Sequence, residues 1–543
     1  MKNIKYVLLA GILIGFAACN EIEDVDRAED LVILPELTSG DVDFSNYVAV
    51  GASFTAGFTD NALFKAGQEN SFPNLLAQQF AKVGGGNFTQ PLMNDNIGGL
   101  LFNGVPMPDG SFGPRLFFNG AGPAVLPAVP TTEATSNLGG TFNNVGVPGA
   151  KSFHGALNGY GAFNPYFGRM ASSPGASMIE DALAQGPTFF TLSEIGGGND
   201  VLSYAISGGT GVDQTGNTNP LLYGNNDITD PNVFAASFSG MLAALTQNGA
   251  KGVVTTVPDI TSLSHFTTVP HNPLDPSNPS FGPQIPTLNG IFGALNQIFA
   301  QVDPSRIIVF SETEASPVVI NDESLANLSA VIAGGLLSDL PAFEAFIAQF
   351  GLPPQFAGPV ANLLGLTYGQ ARQATADDLL VLPSSSVIGT VNGDSVAFLM
   401  MQGLPAALAG QFSVEGVSLP LADKWVLLPS EQLEIATATA AYNATINALA
   451  NSNANVAVAD LRAVLEQAAT TGYPYDEYTM TTSLVFGGLV SLDGVHLTAR
   501  GYGLMAKEFL AATDAAFGSN FIEAGATPKA GDLPTNYSPM LQN

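Results

Sequence analysis

Apolar positions along this chain follow two rhythms that take turns. Short, mainly apolar runs, Tyr47 to Gly51, Phe189 to Ile195, Gly252 to Val257 and Val456 to Ala459, predict strands buried on both faces. Between them the apolar residues recur at helical spacing. After Pro73 come Leu76, Phe80 and Val83, ended by Gly84-Gly-Gly86; Ile179, Ala182 and Leu183 are stopped by Gly186-Pro187. Phe234, Phe238, Met241 and Leu245 mark a clearer helix closed by Asn248-Gly249, and Ile435, Thr439, Tyr442, Ile446 and Leu449 mark another. A last helix puts Tyr502, Met505, Phe509, Ala512 and Ala516 on one face, with Thr498 as its cap and Gly518 as its stop. Strands alternating with helices predict a parallel sheet covered on both sides.

Two stretches break the alternation. Residues 96–140 are rich in glycine and proline with little period, and read as a long surface excursion near the functional site or as a partly mobile flap. Residues 262–430 delay the last strand and form a large insertion, introduced by the Pro/Asn-rich His271 to Pro279. It holds helical stretches (Leu325 to Leu340, Ala342 to Phe350, Pro359 to Leu366) and strand-like pieces (Arg306 to Phe310, Leu379 to Leu382). One reading is a packed subdomain with its own core. The other is a lid whose apolar face, with Phe343, Phe346, Phe350 and Phe356, meets an acyl chain or a membrane surface. Residues 519–543 read as a loose tail.

Composition narrows the partners. The 543 residues are 46% apolar and only 11% charged, enough to bury a sizeable core, and the few charges are uneven: 46 acidic against 16 basic, net −30. Such a surface repels phosphate and argues against a nucleic-acid partner. The chain begins with a basic Met1-Lys-Asn-Ile-Lys5, then an apolar run from Tyr6 to Ala18 too short to span a bilayer, then Cys19, its one cysteine. That pattern predicts a secretory signal, and no internal disulfide is possible. Phe16-Ala-Ala-Cys19 resembles a bacterial lipoprotein box ending at the cysteine to be lipidated; the bland alternative is a simple signal with a chance cysteine. The acidic segment after it, Asn20 to Asp30, reads as a solvated tether and resembles the surface-export signals of some Bacteroidetes lipoproteins.

Candidate chemistry lies in four stretches. Ser53 follows the first strand in Val50-Gly-Ala-Ser53, where an α/β sheet places its reactive groups. A serine needs a base, and the base an orienting partner. Of the four histidines, His154, His265, His271 and His496, only His496 has an acid three residues before it, Asp493. Attack by serine also needs donors for an oxyanion, which Asn144-Val-Gly-Val-Pro-Gly149 and Gly196-Gly-Gly-Asn-Asp200 can supply. His154 follows the first of these closely and is a candidate pocket or packing residue. His265 and His271 have no partner at metal-ligand spacing, and no metal or cofactor is assigned. The run Asp213 to Asp230 lacks an EF-hand register and reads as a polar loop rather than a calcium site.

In this order, the four stretches resemble the four sequence blocks of the SGNH (GDSL-type) hydrolases. The resemblance runs from about Asn46 to Phe517, interrupted by the insertion. It implies a three-layer α/β/α sandwich with a central parallel, flavodoxin-like sheet, and residue by residue it implies these roles: Ser53 as nucleophile, the Ser53 and Gly149 N–H groups and the Asn199 amide as oxyanion donors, His496 as base and Asp493 as its orienter. One position departs, since the family's Gly-Asp-Ser is Gly51-Ala52-Ser53 here, which is expected to alter local loop bonding. A literal Gly393-Asp394-Ser395 lies in the insertion and is read as a decoy, because no strand and glycine block frame it. The organisation implied is 1–18 lipoprotein signal, 19–45 acidic tether, 46–261 and 431–518 hydrolase core, 262–430 insertion and 519–543 tail. The expected activity is hydrolysis of a carboxylic ester, lipase- or esterase-like, by an exported, membrane-anchored protein of the cell envelope, the outer membrane first. A carbohydrate deacetylase and a non-catalytic binding lipoprotein on the same scaffold are the alternatives.

Overall fold

The computed structural model describes residues 34–543. The signal segment, Cys19 and most of the acidic tether lie outside the described residues. Five strands, β1 (Tyr47–Gly51), β2 (Asn144–Gly146), β3 (Phe189–Leu192), β4 (Lys251–Thr255) and β5 (Val456–Ala459), form one parallel sheet in the order β2-β1-β3-β4-β5. The register runs Ala49 opposite Asn144, Tyr47 opposite Phe189, Phe189 opposite Lys251 and Gly252 opposite Val456. β1, β2 and β3 are buried along their whole length, as strands covered on both faces must be.

Helices cover both faces. On one, α1 (Phe72–Phe80) lies against the long C-terminal α6 (Ala499–Phe517), with Phe72 stacked on Phe509 at 4.8 Å. On the other are α2 (Met178–Leu183), α4 (Pro231–Thr246) and α5 (Pro429–Asn451), where Phe234 meets Tyr442 at 4.3 Å. A short helix, α3 (Gly198–Ile206), follows β3 and packs on α5. Ser177 and Glu180 cap α2 reciprocally, Asp230 caps α4, and Thr498 caps α6 as its sequence position suggests. This is an α/β fold with a five-stranded parallel sheet between helical layers. The order reverses at β1, which has β2 on one side and β3 on the other, so a crevice opens where the chain leaves β1 and β3.

Two hydrophobic clusters divide the buried side chains. One surrounds the sheet; the other is built from residues between Val269 and Leu428, and Trp425 packs against both. In the second, Phe343 is buried, and Phe346, Phe350 and Phe356 pack against it. The helical stretches of the insertion form as Ser329–Ser338, Leu340–Ala348 and Ala357–Tyr368, beside an 18-residue helix, Ile285–Val302, that the periodicity did not single out.

Three expectations change. Arg306 to Phe310 is not a strand: its extended backbone finds amide side chains in place of a neighbouring strand. Asn296 exchanges two hydrogen bonds with Ile308 (2.8 and 2.9 Å), Asn289 two with Phe310 (both 2.9 Å) and Gln373 two with Val309 (both 3.1 Å). The tail is not loose. Arg115, fully buried, donates to the carbonyls of Ser538 at 2.7 Å and Leu541 at 3.0 Å, and Phe521, Leu533 and Tyr537 are buried. The anchoring arginine sits in the glycine-rich stretch 96–140, which is pinned under the tail and contains a hairpin, Leu116–Phe118 on Pro123–Val125.

Candidate active site

Ser53 begins a single helical turn, Ser53–Ala56, that doubles back directly from β1. The turn is so tight that a Cβ on Gly51 would lie 1.8 Å from Thr55 Oγ1, and one on Gly146 would lie 2.3 Å from the Ala56 nitrogen. Glycine at both positions lets the serine turn lie flat on the sheet edge. Ser53 is 5% exposed, and its N–H has no hydrogen-bond partner among the described residues.

Glu194, at the end of β3, fixes this turn. Its carboxylate accepts from the N–H groups of Ala52 and Thr55 (2.8 Å for the latter), and from the hydroxyls of Thr55 and Ser193. Local bonding around Ala52 is therefore supplied from β3. The residue was missed in the sequence, where the only signal was an acid inside an otherwise mainly apolar run.

The Asp493–His496 loop docks on the chain leaving Ser53. His496 Nδ1 lies 2.9 Å from Asp493 Oδ2, while Asp493 Oδ1 accepts from the N–H groups of Val495 and His496, both at 2.8 Å, and from Ser491 Oγ at 3.0 Å. Burial alone would raise the Asp493 carboxyl, but the imidazole and the two N–H donors outweigh it and hold the group well below the usual carboxylate range. Asn61 N–H donates to Asp493 Oδ2 at 2.9 Å, Leu492 N–H to Asp60 Oδ1 at 3.1 Å and Asp60 N–H to Ser491 Oγ at 3.1 Å. Asp60 and Asn61 both adopt positive φ, 52° and 63°, to make these bonds. The imidazole packs against Phe54, within the serine turn, at 5.6 Å and against Phe58, just after it, at 4.6 Å between ring centres. Among the described residues no hydrogen bond joins Ser53 Oγ to His496 Nε2; such bonds often tighten only around a substrate.

The two donor stretches hold each other. Asn199 Nδ2 donates to the Ala150 carbonyl at 2.9 Å, which sets the amide beside Gly149, and Asp200 accepts from Ser152 N and Oγ at 3.0 and 2.7 Å. Asn164 Nδ2 grips the Pro148 carbonyl at 2.8 Å from the other side. Gly149 has φ +82°, is exposed, and its N–H is unpaired among the described residues. One proton of the Asn199 amide, the Gly149 N–H and the Ser53 N–H thus remain free on one edge of the sheet.

The other candidates fall as follows. His154 stacks on Tyr160 at 4.5 Å, and burial, helped by Lys151, pushes it down to about 4, so it is a packing residue. His265 is buried against the Asp493–His496 loop: its backbone N–H donates to the Gly494 carbonyl at 3.0 Å. Asp227 and Asp230 in the polar run accept hydrogen bonds from Val212, Gln214 and Gly224 and from Gly216, Asn232 and Val233. In Gly393-Asp394-Ser395, Asn392 caps a helix, Gly393–Met401, by accepting from Ser395 N–H at 2.9 Å, so this serine is part of a helix start.

Beside the site is a cavity of about 90 Å³ walled by Phe54, Asn199, Leu202, Val257, Leu461 and Val495 among others; Ser53, Gly149 and His496 lie outside its wall. It is apolar and much smaller than pockets that enclose whole drug-sized ligands, roughly 300 Å³ and more.

Comparison with protein-family models, curated proteins and solved structures returned no match. The likeness to the SGNH hydrolases therefore rests on the four blocks in the sequence.

Proposed function

We propose that the chain is a serine hydrolase of SGNH type that cleaves carboxylic esters by acyl transfer. The observation that carries this reading is the docking of the hydrogen-bonded Asp493–His496 pair, through Asp60 and Asn61, onto the segment leaving Ser53. An acid that stays ionised and holds Nδ1 leaves Nε2 as the proton acceptor. In the proposed mechanism His496 takes the Ser53 proton as the oxygen attacks the ester carbonyl. The charge developing on that oxygen is met by the Ser53 N–H, the Gly149 N–H and the Asn199 amide. His496 then returns the proton to the departing alcohol, and water, deprotonated in turn by His496, releases the acid.

The small apolar cavity beside Asn199 supports a short acyl group, which brings an acetyl esterase acting on glycans level with a lipase. Export and anchoring through Cys19 belong to the same proposal and rest on the sequence of residues 1–30. The test is hydrolysis of p-nitrophenyl acetate, butyrate and octanoate. Turnover that falls from acetate to octanoate supports the short-acyl reading, and a rise toward octanoate replaces it with a lipase. Absence of turnover on all three, together with no reaction with a phosphonate probe, favours a binding lipoprotein.

A further inference from the structure

The insertion contains a cavity of about 240 Å³ that shares no wall residue with the small cavity beside Asn199. Phe346, Phe350, Leu364, Phe398, Leu408 and Phe412 dominate its lining. Protein interiors rarely keep voids larger than a water, and an apolar void of about 150 Å³ stays dry and takes up a benzene ring. This one is larger and mainly apolar, with a few polar groups in its wall. Phe398 lines it while 46% exposed, so the cavity reaches the surface at the helix Gly393–Met401, beside the exposed Met400 and Met401.

The polar groups in the wall select the ligand. Tyr368 donates to the Ser418 carbonyl at 2.5 Å and Ser395 pairs with Ser413 at 2.8 Å, so both are spoken for. The Asn321 amide and the Thr367 hydroxyl make no hydrogen bond among the described residues. No charged side chain lines the cavity, and the chain as a whole carries −30, so a buried carboxylate head would have no cation to offset its desolvation. We propose that the cavity binds a single unbranched acyl chain with an uncharged polar head, of the kind a monoacylglycerol presents, with Asn321 and Thr367 as the hydrogen-bond partners of the head. This site stands independently of the esterase reading.

The experiment is calorimetric titration of monodecanoylglycerol, below its aggregation concentration, into the full chain carrying Ser53→Ala to prevent turnover. Binding with a negative heat-capacity change is expected. Adding Thr367→Trp, or Leu363→Trp should the first not fold, fills the cavity from a half-buried wall position and weakens binding at least tenfold. Leu202→Trp, in the small cavity beside Asn199, leaves it within twofold, and decanoate binds at least tenfold more weakly than the neutral ester. No binding, a filled cavity that binds as before, loss of binding in Leu202→Trp, or decanoate binding as tightly would each overturn the proposal.

Discussion

Replacing Asn199 by alanine separates chemistry from folding more cleanly than any other change at this site. The side chain is 7% exposed, and its one recorded hydrogen bond runs from Nδ2 to the Ala150 carbonyl. Losing that bond leaves the buried Ala150 carbonyl without this donor and costs about 1–3 kcal/mol, still below the roughly 5–15 kcal/mol that holds a domain folded. Asp200 and Asn164 continue to hold the Gly149 turn through Ser152 and Pro148, so the variant keeps its fold. Loss of an oxyanion donor, by contrast, lowers turnover about 10²–10³-fold, or roughly 2.7–4 kcal/mol of barrier. The measurement is kcat on the best p-nitrophenyl ester beside a thermal melt. An Asn199→Ala protein with a near-native melt and wild-type kcat refutes the oxyanion assignment; one with lost kcat and a collapsed melt refutes the separation of roles.

Other predictions follow from neighbouring contacts. Glu194→Ala leaves the Ala52 and Thr55 N–H groups without their acceptor, each costing about 1–3 kcal/mol, and loosens the serine turn; Glu194→Gln keeps an acceptor and should recover most of the melting temperature. Asp60 is pushed up to about 7, chiefly by burial, with Asp493 adding to it and Leu492 N–H and Arg115 opposing. Between its ordinary value and about 7 the folded chain holds a proton that the unfolded chain has released, so this group's contribution to stability is lost as pH rises through that window. The melting temperature of Asp60→Asn relative to wild type should therefore climb from pH 4 to pH 8, and a constant difference would count against a protonated Asp60. Glu431, which accepts from Leu428 N–H at 2.6 Å at the start of α5, is raised by burial and by the nearby Glu323 and Asp423, so Glu431→Gln should resist alkaline destabilisation better than wild type.

The parts of the fold legible in sequence are those set by local pattern. β1 and β3 stand out because strands buried on both faces need mainly apolar runs, and α4 and α5 because one wet face enforces a helical period. Ser53 and the Asp493–His496 pair are legible because a tight turn and a three-residue spacing are local geometry. What stayed hidden depends on residues far apart in the chain. Glu194 reaches the serine turn across some 140 positions, and Asp60 meets Leu492 across 432. Arg306 to Phe310 has the composition of a strand, but its backbone partners are the amides of Asn289, Asn296 and Gln373, which no strand pattern signals. The polar tail looked unstructured because its main attachment is carbonyl to Arg115, and carbonyls have no sequence.

The central claim is that Ser53 is a nucleophile activated by His496, and reaction with a fluorophosphonate tests it without knowledge of the natural ester. Mass spectrometry of the digested adduct should find the phosphonyl group on the peptide containing Ser53. Labelling should disappear in Ser53→Ala and slow severely in His496→Ala. An unlabelled wild-type protein, or a label on Ser395 in place of Ser53, would contradict the account.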